Sequence, residues 1–600
     1  MLSELYDYTF REKFSVRPGF KEKNVKFYIS FGADESFLGF EPIEKGNKIL
    51  CPDIGSLANG TTKSNVLAEK IYIILNIEDK NGKTAPKKSE FYIDCMKQAS
   101  ESDELFAKSV SALEKNHDKI IFELENNKNV KSEDVASIKF DGRPLEESDG
   151  YIQWWNKFRK ELDQNDKTKL RIDFITGELC EPKQTVEKIS GLISVGGHQS
   201  GDSLICFDKS SFKSYNLEQA ANATVGENSV AAVNFALERL LKDAKPFAGA
   251  KNIHWYKENT ENDCIDLLDN GNLSLDINMN FQMEESQEDD EQKIADNQRI
   301  GKLFESVFKN NLPPNEVKNR YYMMSLSGVG GRIMVRSYDE GSYKELFNSI
   351  SAWYKDLKIF SPGYGCKFPK LWGIYGRMLK YSDENKRPQK MSENISKELS
   401  GISNQIIYAI LHNTQLPDTA AAKVLQYIRS DIYSSVNEDT KKSANIDRIA
   451  CQFLKAWLNR KYRSENKEEF IIMETLNKES PSKAYHVGRL MAVYAQIQRS
   501  ALGNNIGAGV IEKYYTSCCT APALVIGKLA TLSQYHLSKI ENGQKVWYSK
   551  MLQEICNKIG YEIPSTFSLE QQSQFALGFY FQNSEMYKKS DSNENTETEE

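Results

Sequence analysis

Most of the patterns that mark an enzyme are missing from this chain. It has six histidines and no H-E-x-x-H or H-x-H spacing, which argues against the metal hydrolases and nucleases built on those motifs. One His-Asp dipeptide occurs, His117-Asp118 in NHDKII, with no further ligands nearby; it reads as a pair on a surface helix. A G-x-S-x-G nucleophile elbow is absent. The glycine runs GVGG (328–331) and ISVGGHQSGDS (193–203) lack the third glycine of a dinucleotide fingerprint and the Lys-Ser/Thr of a phosphate loop. Both read as turns between strands. Ten cysteines are scattered without a C-x-x-C pair, and adjacent Cys518-Cys519 cannot chelate a metal alone. The expectation is a non-enzyme with no metal site and no cofactor, in a reducing cytoplasm. No apolar run approaches the roughly 18–20 residues of a membrane span. The start, MLSELYDYTFREKF, shows no basic segment leading into an apolar one, so no signal peptide is expected.

What is present is length and unevenly placed charge. Six hundred residues exceed one core, so two to four domains are expected. Hydrophobic residues at 40% and charged residues at 27% describe a soluble globular protein. The formal charge of −6 misleads, because residues 284–291 and 591–600 together hold eleven of the 84 acids and no base. Without those two tracts the charge is about +5, since 78 bases then face 73 acids. The bases cluster. Residues 481–560 hold nine Lys/Arg against three acids, and residues 351–390 repeat that ratio. A basic helical block usually faces a polyanion or an acidic partner.

The patterning predicts α+β architecture: a mixed α/β N-terminal region followed by an all-α bundle. NVKFYISFG (25–33), KIYIILNI (70–77), residues 170–210, NIHWYKE (252–258) and residues 320–338 have strand character. Residues 87–127 read as helical, with Phe106, Val110, Leu113 and Ile120–Phe122 on an apolar stripe. In 227–242, Val230, Val233, Leu237 and Leu240 recur at helical spacing. Helix dominates from about 342. Val487, Leu490, Tyr494, Ile497 and Ala501 form a bundle seam. Pro522 can open a helix with Leu529, Leu532 and Ile540 on its buried side. Ser568 and Gln571 form a capping box before the aromatic run 575–581. Residues 484–581 therefore read as a four- or five-helix bundle.

Two segments suit nucleic acid. NGTTKSN (59–65) is a short polar loop offering amides, hydroxyls, a lysine and an amide side chain for phosphates and base edges. YIQWWNKFRK (151–160) interleaves aromatics and bases, as stacking requires; an amphipathic helix with Trp154 and Trp155 in the core is the stronger competing reading.

Four blocks in order carry a family resemblance. SFKSYNLEQAANATVGENSVAAVNFALERLL (211–241) matches at Phe212, Ser214, Tyr215, Glu218, Gln219, Asn222, Ala223 and Val225, and departs at Asn216, Thr224 and Gly226. In 321–350, Leu326, Ser327, Arg332, Val335 and Arg336 stand in place, with GVGG replacing the usual turn. AYHVGRLMAVYAQIQRSALGNNI (484–506) and LEQQSQFALGFYFQ (569–582) complete the set. Together they resemble the large subunit of type I-C CRISPR Cascade, the Cas-eight, subtype c (Csd) family.

That resemblance implies a non-catalytic subunit for antiviral defence. Guide RNA would read the target by pairing, while this subunit reads the flanking motif (PAM) on duplex DNA and promotes the R-loop. It implies 1–360 as an α/β flanking-motif and DNA-binding region with an acidic surface loop at 284–296. A helical connecting region follows at 361–470, a small-subunit-like bundle at 471–588, and a disordered acidic tail at 589–600. Implied partners are the guide RNA-bound backbone and cap subunits, double-stranded target DNA and the type I helicase-nuclease. A separate small subunit from an internal start at Met473 would have 128 residues. Gly60, Lys63 and Asn65 match the family's loop and Ser64 departs, so Gly60, Thr61, Thr62, Lys63, Ser64 and Asn65 are the expected duplex contacts. Arg489, Arg499, Lys528 and Lys539 are the expected contacts to the displaced strand. A scaffold that only holds neighbouring subunits, and a nuclease with an unrecognised site, are the alternatives.

Overall fold

The structure, a computed structural model, describes all residues except 13–17, 45–47, 55–56, 59, 163–169, 184, 208, 213–216, 218, 271–272, 276–280, 284–290, 361–364, 383, 435–445, 504–508 and 595–600. Internal contacts divide the chain into two units. One comprises Met1–Gly191 and Gln199–Lys242, the other Leu192–His198 and Asp243–Glu600. The division thus falls near residue 242, inside the stretch expected as one α/β region, and residues 361–588 share a unit with the strands from 246 onward.

In the first unit the elements run α1 (Leu2–Arg11), β1 (Phe20–Lys23), β2 (Phe27–Phe31), β3 (Phe37–Pro42), β4 (Ile49–Pro52), β5 (Glu69–Lys70), α2 (Ile71–Ile74), α3 (Pro86–Ser100), α4 (Glu104–Lys115), α5 (His117–Asn126), β6 (Val135–Phe140), β7 (Arg143–Pro144), α6 (Gly150–Leu162), β8 (Arg171–Ile172), β9 (Leu179–Cys180) and α7 (Glu227–Asp243). The main sheet has the order β3-β2-β6-β5, with β7 paired to β6; β2 and β6 are parallel. Ile29 opposes Ile138 and Phe31 opposes Phe140, so one face is apolar. That face shares a core with Tyr92, Met96, Phe106, Tyr151 and Trp155. Asp103 caps α4, accepting from Leu105 N at 2.9 Å. Asp173 does the same for the start of α7, accepting from Gly226 N at 2.8 Å and Ser229 Oγ at 2.7 Å.

Two strand expectations change here. In 70–77 only Lys70 is strand, and Ile71–Ile74 is a helical turn with three buried isoleucines. A short apolar run fits either state, because both bury it completely. Among the described residues of 170–210 only the two-residue strands β8 and β9 form; positive φ at Gly177, Gly191, Gly196 and Gly201 interrupts extension. Residues 87–127 are three helices, and Phe122 faces solvent.

In the second unit the order is β10 (Pro246–Phe247), β11 (Ala250–Tyr256), α8 (Leu267–Asn270), β12 (Leu273–Leu275), β13 (Phe281–Met283), α9 (Glu291–Phe308), β14 (Arg320–Val329), β15 (Arg332–Ser342), α10 (Tyr343–Leu357), β16 (Cys366–Phe368), α11 (Leu371–Gly376), α12 (Pro388–Glu398), α13 (Ser400–Leu411), α14 (Asp418–Ser434), α15 (Arg448–Ser464), α16 (Lys483–Leu502), α17 (Val510–Thr520), α18 (Ile526–Leu537), α19 (Asn542–Ile559) and α20 (Leu569–Glu594). Sheets β10-β11-β14-β15 and β13-β12-β16 interleave with α8, α9 and α10, and among the described residues every element from Leu371 onward is helical. The chain is thus mixed α/β with an all-helical C-terminal region, as the patterning predicts. Gly330 and Gly331, both at positive φ, form the two-residue turn between β14 and β15. The acidic stretch differs from a loop in its second half: 284–290 lie outside the described residues, and Glu291 onward is helix α9. The expected tail from 589 likewise continues as helix to Glu594.

Buried polar groups fix the helical part. Gln452 Nε2 donates to Leu357 O at 3.0 Å and Lys455 Nζ to Asp356 O at 2.9 Å, satisfying the carbonyls left open where α10 ends. Burial lowers the Lys455 pKa to about 8, against the opposing pull of Asp356. Asp356 itself takes Arg460 Nε at 2.9 Å and Arg463 at 2.7 Å. At the centre of the bundle, α16 is buried on all sides over most of its length. It lies against α20 with glycine meeting backbone from both directions. A Cβ on Gly488 would sit 2.0 Å from Phe575 O, and one on Gly578 would sit 2.0 Å from Tyr485 O. The capping box forms as expected: Ser568 N donates to Gln571 Oε1 at 2.9 Å, and Gln571 N to Ser568 Oγ at 3.3 Å. Among the described residues no helix is long and apolar enough to cross a membrane.

Candidate nucleic-acid interface

The 60–65 loop is tied to α3 and β5, which divides its residues into two kinds. Ser64 is fully buried and its Oγ donates to Lys88 O at 3.1 Å. Lys88 Nζ returns across the loop to Ala58 O at 2.8 Å. Asn65 uses its backbone N and its Nδ2 on Glu69 Oε2, at 2.9 and 3.2 Å. Ser64 and Asn65 thus shape the loop from within, and Asn65 would have to leave Glu69 before its amino group met a base. Gly60, Thr61 and Thr62 are exposed. Lys63 is half-buried and, among the described residues, has no hydrogen-bond or ion-pair partner, so its ammonium is available to an acceptor. Residue 59 lies outside the described residues.

The C-terminal cations separate more sharply. Arg489 is 0% exposed. Its Nε donates to Gln582 Oε1 at 2.9 Å, one Nη to Glu554 Oε1 at 2.9 Å, and the other to His486 Nδ1 at 3.1 Å. His486 accepts there and donates from Nε2 to Ser480 O at 2.8 Å, so it holds the neutral tautomer. Burial, reinforced by the Arg489 charge, pushes its pKa down. Arg489 is therefore a bolt between α16, α19 and α20, with no surface for a strand in this arrangement. Arg499 is half-buried and donates to Tyr587 OH at 2.9 Å.

Lys528 and Lys539 are exposed, and each lies over a tyrosine ring: Lys528 5.3 Å from the Tyr514 centroid, Lys539 4.2 Å from that of Tyr535. Tyr535 is itself exposed, and Lys539 lowers its hydroxyl pKa by a hydrogen bond and by charge. An ammonium over an exposed ring gains roughly 0.5–1 kcal/mol. The same pairing offers a strand both a cation for phosphate and a face for a base. The tyrosines escape a count of charges. Tyr535 is on α18 and Lys539 stands two residues past its end, a spacing of four that could have been read; Tyr514 of α17 meets Lys528 of α18 only in the folded chain. Lys513, Lys545 and Lys550 are further exposed bases on this bundle.

Other readings resolve differently. Trp155 is fully buried, with Nε1 donating to Gly19 O at 3.2 Å, and Trp154 stacks on Phe158 at 5.0 Å, so 151–160 is chiefly a core helix. Ser214, Tyr215, Asn216 and Glu218 lie outside the described residues. His117 contacts Leu75 O at 2.8 Å and sits beside Asp118 at 3.6 Å, at the exposed start of α5. The sheet does assemble two histidine–carboxylate–tyrosine clusters invisible in the sequence. Asp263 takes His254 Nε2 at 2.6 Å and Tyr256 OH at 2.7 Å; Asp339 takes His412 Nε2 at 2.9 Å and Tyr321 OH at 2.9 Å. Burial would raise the Asp263 pKa, but His254 and the hydrogen bonds prevail and lower it to about 2. Among the described residues no three His, Cys, Asp or Glu side chains converge as a metal site.

The sequence has no match among curated proteins. The profile of a family described as CRISPR-associated protein (Cas_Csd1) matches residues 2–587. That match reaches across both units and the 60–65 loop and into the last helix, α20, and the chain belongs to the CRISPR-associated Cas_Csd1 family.

Proposed function

We propose that this CRISPR-associated protein is the non-catalytic large subunit of a type I-C Cascade. With guide RNA and backbone subunits it recognises the flanking motif on duplex DNA, promotes R-loop formation, holds the displaced strand and helps to recruit the helicase-nuclease. The observation that carries this reading is the pair of exposed lysine–tyrosine contacts on α17 and α18, in a chain that the family profile matches from residue 2 to 587. Those contacts supply charge and stacking without base-edge selectivity, as an arbitrary displaced sequence demands. On the duplex side Lys63 is the reading residue, while Ser64 and Asn65 set the loop's shape. Arg489 belongs to the bundle's core rather than to the strand track.

A product starting at Met473 would contain all five helices but not α15. It would lose the bond from Gln574 Nε2 to Tyr462 OH, 2.7 Å, and the Lys461–Glu570 ion pair, 2.8 Å. The scaffold reading draws on Arg489 and Asn65 being engaged within the chain. Co-expression with guide RNA and the neighbouring subunits decides between the two. The effector reading expects the chain to co-purify with guide RNA and to be required for duplex target binding. A complex that binds duplex targets equally well without it is a scaffold's result.

A further inference from the structure

The bundle bears a cavity of about 200 Å³, open to solvent on one side, between α16, α19, α20 and the chain just before α16. This exceeds the roughly 150 Å³ that suffices for benzene in an engineered protein cavity, so there is volume for a flat heterocycle. Trp547, Met551 and Met586 supply apolar and aromatic walls. The floor is polar and built. Arg489 holds Gln582 by its carbonyl oxygen, which fixes how the amide is turned. The Gln582 amino group then meets only the thioether sulfur of Met551, at 3.4 Å. A thioether is a weak acceptor, and Gln582 is 2% exposed, so a strong donor lines the cavity without a strong partner. Beside it Glu554 gives Arg489 one oxygen, Oε1, and keeps the other for an incoming N–H. At the rim Lys478 and Lys550 are exposed.

A ligand that satisfies all of this has a flat π-face, an edge carrying both donor and acceptor groups, and negative charge beside the ring. A simple anion fails, because the Glu554 and Glu585 carboxylates line the same space. A purely apolar ligand leaves the floor's polar groups desolvated. We propose that this cavity receives one unstacked nucleobase of a single strand. Trp547 and the methionines hold the ring, Gln582 and Glu554 meet its edge, and Lys478 and Lys550 meet the adjoining phosphates. The proposal rests on reading the bundle as a strand-binding surface. Base stacking on an aromatic side chain, by alanine substitution, is worth roughly 5- to 150-fold in affinity per base.

The test uses the full chain and short single-stranded oligonucleotides, one carrying the fluorescent base 2-aminopurine and one made of abasic residues. Wild type is expected to quench 2-aminopurine on binding. Trp547→Ala and Trp547→Leu are expected to weaken the base-bearing strand about ten-fold, leave its salt slope unchanged, and leave the abasic strand's affinity unchanged. Equal weakening on both strands overturns the proposal, since that is a damaged bundle rather than a lost base. If the two cavity variants bind like wild type while Lys528→Gln/Lys539→Gln binds more weakly, the cavity proposal fails and the strand track stands. If all variants bind like wild type, both fail.

Discussion

The core of the C-terminal bundle and its α17–α18 surface carry cations drawn from one basic block, yet they use them in opposite ways. In the core, Arg489 has surrendered all contact with water and is held by three side chains from three places in the chain. On the surface, Lys528 and Lys539 stay exposed, each over a tyrosine ring, and Lys539 also meets the Tyr535 hydroxyl. The first kind of cation is a structural commitment, because removing it strands its buried partners. The second kind costs the fold little to keep or lose, which leaves it for a polyanion. Local charge density does not distinguish them; the burial of the helix face does.

The comparison breaks most visibly at Arg489. Arg489→Ala is expected to cost about 3–5 kcal/mol in urea unfolding, as loss of one partner in a buried charged network does. An unchanged unfolding midpoint would erase the distinction between core and surface. Nearly as large is Gly578→Ala, expected to cost about 3 kcal/mol, the upper end for overpacking, because its Cβ meets the Tyr485 carbonyl and not a side chain that can turn away. Stability should also fall with acid. Burial lowers the His486 pKa, so the unfolded chain takes the proton first as pH drops through 6.5. The contribution of neutral His486 is complete above that pH and is lost as pH falls toward the folded-state pKa. Wild type should therefore lose more thermal stability between pH 8 and 5.5 than His486→Gln does. The smallest effect on folding belongs to Lys528→Gln/Lys539→Gln, within about 0.5 kcal/mol of wild type. Its single-strand affinity should fall, with a salt slope reduced by roughly 0.7 for each phosphate contact removed.

How far the sequence shows this follows the range of the interactions involved. The capping box of Ser568 and Gln571, the α7 stripe and the Gly330-Gly331 turn depend on residues within a few positions, and all three form as the local pattern predicts. Ile71–Ile74 misleads because a short apolar run is consistent with either helix or strand. The loop at 60–65 is visible as polar sequence, but the ties from Lys88 and Glu69 that engage Ser64 and Asn65 come from a helix and a strand beyond it. Arg489 offered one local warning: it sits between Val487 and Leu490 on the bundle seam, where an arginine is far more constrained than a lysine on an outer helix. Its partners on α19 and α20 are more than 60 positions away, beyond any spacing rule.

The proposed function requires a protein loop to read the flanking motif while RNA reads the rest. The most direct measurement is target binding by the assembled, guide-loaded complex across a randomised flanking motif, with wild type and with Lys63→Ala. The expected result is a sequence preference at the flank in wild type that Lys63→Ala flattens, with guide-matched pairing left intact. Affinity that is independent of the flank in wild type, or an equal loss on every flank in the variant, would contradict it.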